Sequence, residues 1–202
     1  MGKRENNRKK RHAAMLSVAA DMLANKGING IRLEDVAIQA GVSPATLYNY
    51  FPTKGHLIVE FFRADIEIIQ AAQFKMIEDP PEDPIEAILK VIHGEYEAGH
   101  ILGDRMVWRE VYSTAIAFTD ETVDFVNPLR KERTKPYRKL LKKLKSLGRL
   151  SPDADTGSLA EVICCLNETY FLSCLLGEDF EIKVKYDRIR RNLETVFAQY
   201  IT

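Results

Sequence analysis

The chain has 202 residues, enough for two domains of ordinary size. Lysine plus arginine and aspartate plus glutamate each number 29, so the zero net charge does not by itself indicate a nucleic-acid binder. The sequence contains no apolar run of about 18 residues and no signal-peptide core, which excludes a membrane span and a secreted class. Cys164 and Cys165 are adjacent, and this spacing fits neither a disulfide framework nor a zinc site. We therefore expect core thiols in a reducing, cytoplasmic environment.

The N-terminus is strongly basic. Its first twelve residues contain one acidic residue, Glu5, and six cations: Lys3, Arg4, Arg8, Lys9, Lys10 and Arg11. A basic arm of this kind is expected to follow DNA phosphates, and its contribution to binding should fall as salt rises. A solvated, disordered tail is the alternative.

Residues 33–54, LEDVAIQAGVSPATLYNYFPTK, form the most informative stretch of the chain. Their first part places apolar residues at the three- and four-residue spacing of an amphipathic helix. Gly41 can adopt positive φ where that helix must stop. Ser43 is a good N-cap, and Pro44 suits the first position of a second short helix over residues 44–50. The pattern predicts a helix-turn-helix.

The second helix of this motif has the shape that a DNA major groove admits, because its first turn carries only small side chains. Ala45 and Thr46 offer methyl groups and a hydroxyl, whereas Leu47 and Phe51 are spaced to face inward. An ordinary helical hairpin would not need this combination of capping, slim first turn and flanking Lys54. The predicted DNA-contacting residues are Arg32, Leu33, Ser43, Pro44, Ala45, Thr46, Tyr48, Asn49, Tyr50 and Lys54.

Residues 9–62 resemble the N-terminal domain of the TetR family of transcriptional regulators. The similarity rests on the alanine-rich AAMLSVAADMLANKG, on EDVAIQAGVS, and on the following TLY with Phe51 and Lys54. One position departs from the family pattern, since Arg32 stands where a Thr or Ser cap is usual. Arginine cannot accept a backbone amide, so we expect a weaker cap and a phosphate contact in its place.

Beyond Phe62 the sequence shows no strand alternation, and Pro- and Gly-rich breaks separate segments of helical length. We predict an all-α fold of about nine helices. A long helix over residues 54–77 would join a helix-turn-helix domain (8–54) to a larger helical effector-binding and dimerisation domain (55–202). Asp83 precedes Pro84 and is a plausible cap for the helix that follows.

The last two predicted helices, over residues 153–176 and 183–201, carry apolar residues on more of their surface than one core needs. Two such helices from each of two chains would form a four-helix bundle, as the TetR resemblance implies. A dimer also sets two recognition helices about 34 Å apart for a palindrome. The predicted interface residues are Leu159, Val162, Ile163, Leu166, Tyr170, Ile189, Leu193, Val196, Phe197 and Tyr200.

The resemblance further implies a small-molecule effector that binds in the larger domain and releases the protein from DNA. The candidate lining residues are Phe62, Ile66, Trp108, Tyr112, Phe125, Tyr137, Asn167 and Phe171, each of which also suits a plain core. Asn167 has two further interpretations, as a residue that fixes dimer pairing and as a satisfied buried amide.

Two other patterns allow more than one interpretation. His93, Glu97 and His100 share a helix face, but Gly94 and Gly99 weaken that helix, so we predict no metal and no cofactor. Residues 130–149 contain ten cations against Glu132 alone around an apolar stripe. A solvated basic face is expected there, and a surface for a membrane, an anionic partner or an acidic effector is the alternative.

The sequence lacks a phosphate-binding glycine loop, an HExxH motif and a nucleophile elbow, which argues against an enzyme. The expected function is a homodimeric, ligand-responsive regulator of transcription. Repression is the family default and follows from no residue of this chain. The alternatives are a sequence-tolerant architectural DNA-binding protein and a module that binds an anionic partner or membrane through its basic helix.

Overall fold

The computed structural model describes residues 2–98, 105–117, 119–176 and 182–201. Within these ranges the fold is helical, as predicted, and an isolated antiparallel bridge joins Leu150 to Ile201. No helix among the described residues combines the length and apolar character needed to cross a membrane. The helices in these ranges are α1 (Lys3–Lys26), α2 (Leu33–Gln39), α3 (Pro44–Tyr48), α4 (Lys54–Met76), α5 (Pro84–Glu97), α6 (Arg105–Ala117), α7 (Thr119–Ser146), α8 (Thr156–Leu176) and α9 (Ile182–Phe197).

The helices group into two compact units, and α4 and α7 contribute residues to both. The first unit comprises Met1–Asp65 with Ile101–Asn127, and the second comprises Ile66–His100 with Pro128–Thr202. The first unit therefore contains α6 in addition to the helix-turn-helix. The division into functional domains at residue 54 stays a prediction.

The core of the first unit is made by the inward faces of α1, α2, α3 and the start of α4. The spacing of these residues follows the helical repeat, so each helix contributes one apolar stripe. The basic N-terminal segment is part of α1, which begins at Lys3, and is therefore helical instead of the expected arm. The buried core residues include Met15, Ala19, Leu23, Val36, Ala37, Leu47, Phe51, Leu57, Ile58 and Phe61.

The turn between α2 and α3 is set by Gly41, whose φ of 67° confirms the prediction of positive φ. The amide of Val42 donates to the carbonyl of Ala37 at 3.0 Å, and that of Gly41 donates to Ile38 at 3.1 Å. These bonds satisfy carbonyls that the end of α2 leaves without a helical partner.

The second unit packs α5, α7, α8 and α9 around an apolar cluster that includes Ile88, Ile92, Leu140, Leu144 and Ile163. Asp83 caps α5 as predicted, since its Oδ1 accepts from the amide of Ile85 at 2.7 Å.

Two helix bounds in this unit differ from prediction. The Asp155 carboxylate caps α8 by accepting from the amide of Gly157 at 2.9 Å, so this helix starts at Thr156 and not at 153. α9 ends at Phe197, because the chain beyond it pairs with another segment through a bond of 2.7 Å from the Ser151 amide to the Tyr200 carbonyl.

Replacing Gly41 with alanine should lower the free energy of unfolding by about 1–2 kcal/mol, because an L-residue is strained in the left-handed region. A Cβ at this position meets no atom within 4 Å, so the cost is one of backbone conformation. Urea unfolding measures it, with Gly41→Asn as the control, since asparagine tolerates this conformation and should lose less. Equal stability of Gly41→Ala and the wild type would contradict the assignment.

Candidate nucleic-acid interface

The short helix α3 is held at its start by the predicted Ser43 cap. Ser43 Oγ accepts from the amide of Thr46 at 3.1 Å, and Pro44 occupies the first helical turn. The hydroxyls of Ser43 and Thr46 also lie 2.8 Å apart, so that the Thr46 hydroxyl is shared with the cap.

The two faces of α3 are separated as predicted. Leu47 and Phe51 have no exposed surface and anchor the segment in the core of the first unit. The opposite face leaves Pro44, Ala45 and Asn49 exposed. Because α3 is slim on its outer side and firmly held on its inner side, it presents a surface that fits a major groove.

Tyr48 and Arg32 both interact with Glu34 of α2. The Tyr48 hydroxyl donates to Glu34 Oε1 at 2.6 Å, and the Arg32 guanidinium lies 3.9 Å from Glu34 Oε2. The hydrogen bond from Tyr48 lowers the pKa of Glu34, and the same bond raises the pKa of Tyr48. Tyr48 must therefore exchange Glu34 for a phosphate if it contacts DNA through its hydroxyl.

Arg32 occupies the N-cap of α2 and makes no side-chain cap bond, which confirms the expected weak cap. Its side chain is 75% exposed and available to a phosphate. The predicted contact by Leu33 is corrected, because this side chain is buried in the core and only its backbone can face DNA. Tyr50 is half-buried, with its ring 6.0 Å from that of His12.

Lys54 is half-buried, and its ammonium donates to the carbonyl of Ile28 at 2.9 Å. The amide of Ile28 donates to Glu110 Oε1 of α6 at 2.7 Å. Ile28 is itself buried. Its carbonyl and its amide are thus bonded to two oppositely charged side chains. The turn after α1 is thereby tied to the start of α4 and to α6.

The candidate effector residues fall into separate groups. In the first unit, the Phe62 ring lies 5.4 Å from that of Trp108 and 4.9 Å from that of Tyr112. A cleft of about 620 Å³ in this unit is lined by residues of α1 and α6, including Leu23 and Glu110, that are absent from the candidate set. Ile66 and Phe171 are half-buried, and the Phe125 side chain lies outside the described residues.

In the second unit, Tyr137 and Asn167 are buried around Glu95, which the sequence analysis did not identify. Glu95 Oε2 accepts from Asn167 Nδ2 at 2.6 Å and from the Tyr137 hydroxyl at 3.2 Å, and Oε1 lies 3.3 Å from Arg133 Nη2. The Tyr96 hydroxyl donates to Asn167 Oδ1 at 2.9 Å. Burial raises the pKa of Tyr137 well above its ordinary value, which keeps the phenol a neutral donor. Asn167 is thus a satisfied buried amide.

The structure describes the surroundings of two smaller candidate sites, the histidine face of α5 and the cysteines of α8. His93 Nδ1 lies 2.8 Å from the Tyr186 hydroxyl and Nε2 lies 2.8 Å from Glu97, so both ring nitrogens have partners. His100 lies outside the described residues, and among the described ones no three potential ligands form a metal cluster. Burial raises the pKa of Cys164 to about 11, consistent with a core thiol.

The basic segment 130–149 covers an apolar stripe in which Leu140, Leu141 and Leu144 are buried, whereas Leu147 is exposed. Several of its cations bind the protein itself. Lys143 donates to the carbonyl of Glu78, and Lys145 donates to that of Ala154. Arg149 donates to those of Pro80 and Pro81, and the Lys139 ammonium lies 4.9 Å from the centre of the Phe74 ring. These contacts favour a structural basic face over a surface for an anionic partner.

The predicted dimer residues divide by exposure. Five of them are buried within this chain and cannot contact a partner directly: Leu159, Ile163, Ile189, Leu193 and Phe197. Val162 is 37% exposed, and four further residues are half-buried: Leu166, Tyr170, Val196 and Tyr200. The candidate interface is therefore limited to the exposed Val162 and the four half-buried residues. The dimer itself stays a prediction.

Known proteins resemble this chain in sequence and in fold. Residues 15–61 match the family model described as bacterial regulatory proteins, tetR family. The transcriptional repressor KstR2 of Mycolicibacterium smegmatis is 24% identical over 145 residues, which cover 72% of this chain and 70% of KstR2. The transcriptional regulator RutR of Escherichia coli K12 is 30% identical over 135 residues, which cover 66% of this chain and 63% of RutR.

Two solved structures show the same fold at low sequence identity. A TetR-family regulator from Cytophaga hutchinsonii has a TM-score of 0.68 and 16% identity, with 96% of each chain covered. FadR of Bacillus subtilis has a TM-score of 0.67 and 16% identity, with 90% of this chain and 96% of FadR covered.

The anchored, slim α3 and these relatives together indicate a helix-turn-helix regulator of transcription that binds DNA, and not an enzyme. The N-terminal segment of the chain, residues 15–61, is the part that matches the TetR family.

Glu95→Ala should destabilise the protein by about 2–4 kcal/mol, because it removes the buried acceptor of the Asn167 amide and the Tyr137 hydroxyl and leaves Arg133 with Glu168 alone of the two carboxylate partners that the structure describes. Glu97→Ala is the matched control on the same helix, since its carboxylate is 59% exposed and its ion pair within the described residues is with His93. It should cost less than about 1 kcal/mol. Urea unfolding of both variants measures the difference in their free energies of unfolding. Similar losses of stability would show that the buried Glu95 network contributes no more than an exposed ion pair.

Proposed function

We propose that this chain is a homodimeric repressor that binds a palindromic operator and is released by a small molecule. The observation that best supports sequence-specific DNA binding is the exposed face of α3, which carries small residues and lies opposite the buried Leu47 and Phe51. Each protomer would insert α3 into one of two successive major grooves. Such a regulator acts where a bacterial chromosome lies, in the cytoplasm.

The homodimer is supported by the outer surface of α8. Val162, Cys165, Thr169 and Ser173 follow one another at three- or four-residue spacing, and none of these side chains is charged or buried. A stripe of small, uncharged residues allows two helices to approach closely. The Thr169 and Ser173 hydroxyls already donate to carbonyls of their own helix, so this surface could be buried without leaving these donors unsatisfied. Tyr170 on α8 accepts a hydrogen bond from Asn192 on α9 at 2.9 Å, which joins the two helices that would form the bundle.

Effector binding is supported by an aromatic cluster of α4 and α6. The Phe62, Trp108 and Tyr112 rings pack together and could contact an apolar ligand. The fold relative FadR was solved with stearoyl-CoA. At 16% identity that likeness carries the fold and does not assign the ligand of this chain.

Nuclease footprinting on DNA upstream of the gene for this protein tests the proposal. A protected palindrome with half-sites about one helical turn apart is the expected result, because two α3 helices would read equivalent sequences. Uniform protection would instead show a sequence-tolerant architectural protein, and protection of no DNA would overturn DNA binding altogether.

Asn49→Ala should reduce discrimination between the footprinted site and a shuffled duplex, because Asn49 is exposed where a base edge would lie. Thr46→Ala should act in the same direction through the loss of its methyl contact. Lys54→Ala should weaken binding to both duplexes about equally, since a phosphate contact carries no sequence information. Fluorescence anisotropy gives both affinities for each variant. A uniform loss in all three variants would contradict the assigned roles.

Val162→Arg should convert the dimer to a monomer, because it places a charge of each chain on the proposed α8 interface. Leu147→Arg is the control, since Leu147 is also an exposed apolar residue in the second unit but lies outside α8 and α9. Analytical ultracentrifugation should show a monomer for the first variant and a dimer for the second. A Val162→Arg dimer of wild-type stability would place the interface elsewhere.

A further inference from the structure

The first three turns of α1 stand outside the core of the first unit. The helix begins at Lys3, yet its first buried residue is Met15. At 1.5 Å per residue this exposed part is about 18 Å long. Its sequence is basic, so a helical rod of positive charge extends from the helix-turn-helix domain.

Three arginines in this rod share one face. Arg4, Arg8 and Arg11 are separated by four and three residues, the spacing that aligns side chains along an α-helix. Continuing the same spacing by four residues reaches Met15, which is buried against the domain. The arginine face is therefore the outward continuation of the face that α1 packs onto the domain, whereas Lys9 and Lys10 lie off it.

The contacts of this face show where it points. The Arg8 guanidinium lies 5.9 Å from the centre of the Tyr50 ring, and Tyr50 follows the end of α3 by two residues. One turn later, the His12 ring lies 5.2 Å from that of Phe51. The arginine face thus adjoins the C-terminal end of the recognition helix.

The carboxylate of α4 that pairs with α1 is already compensated. Glu60 of α4 lies 3.1 Å from His12 Nε2 and 3.1 Å from Arg63 Nε. Burial alone raises the pKa of Glu60, but the hydrogen bond from His12 and the charge of Arg63 outweigh it and lower that pKa. Glu60 stays ionised within these pairs and leaves the guanidinium groups of the rod available to another anion.

We propose that Arg4, Arg8 and Arg11 form a second DNA-contacting surface, which binds backbone phosphates beside the site that α3 reads. This inference rests on the proposed DNA-binding function and extends it to residues outside the helix-turn-helix. Guanidinium groups bind phosphate oxygens with two parallel hydrogen bonds, and a helix holds them in register. The ordered rod loses less conformational entropy on binding than a flexible arm of the same charge.

The salt dependence of binding to a random duplex tests this surface. Arg4→Gln/Arg8→Gln and Lys9→Gln/Lys10→Gln each remove two exposed positive charges from α1, on and off the arginine face respectively. Fluorescence anisotropy between about 50 and 200 mM salt gives the slope of log affinity against log salt concentration. Far-UV circular dichroism confirms that both variants remain as helical as the wild type.

The arginine variant should lower the magnitude of the slope by about 1.8, since each lost phosphate contact contributes about 0.9. The lysine variant should lower it by less than half of that amount. Equal changes in the two variants, or an unchanged slope in the arginine variant, would overturn the proposed surface while leaving the helix-turn-helix function intact. A wild-type protein that binds neither random nor upstream DNA would overturn both proposals.

Discussion

The recognition helix has only five residues, and this length is the constraint on which the rest of the DNA-binding unit depends. A helix so short has no stability of its own in water, because nucleation costs more than its few hydrogen bonds return. Its direction is fixed instead by Leu47 and Phe51, which the core surrounds completely, and by the Ser43 cap. α1, α2 and the start of α4 therefore form a frame around α3. The orientation of the exposed face of α3 depends on how well these helices pack.

The peptide groups of Ile28 connect this frame to α6. The carbonyl accepts from Lys54 at the start of α4, and the amide donates to Glu110 in the middle of α6. Gly27, immediately before it, has positive φ, and a Cβ there would lie 3.0 Å from the Glu110 carboxylate. The turn after α1 thus lies in close contact with α6. A shift of α6 would act on Ile28, the residue to which Lys54 is bonded. This junction connects α6 directly to the helices that pack around α3.

The features that sequence predicted well are local. The positive φ at Gly41, the caps at Ser43 and Asp83, and the inward faces of Leu47 and Phe51 depend on neighbours a few residues away. Most of the contacts that sequence missed involve partners distant in the chain. Leu33 has a position in the chain that suits DNA contact, but its burial is decided by α1 and α3.

The bond of Lys54 to Ile28 was likewise not predictable, because it joins residues 26 positions apart, and the phosphate contact of Lys54 stays a prediction. Periodicity assigned an apolar face to α8 and α9 but did not distinguish the part buried within the chain from the part left exposed. Glu95 had a detectable signal, since it lies seven residues after Ile88 on an apolar stripe of α5, where a charge requires buried partners. The identity of those partners, Arg133 and Asn167, depends on the packing of α5 against α7 and α8.

The central claim is that α3 reads sequence and does not merely attach the protein to DNA. The most direct measurement is the ratio of wild-type affinities for the footprinted site and for a shuffled duplex of equal length and composition, at physiological salt. A sequence-reading dimer should prefer its site by about a thousandfold or more. A ratio near one would show that backbone charge alone carries the binding, and would contradict the role assigned to α3.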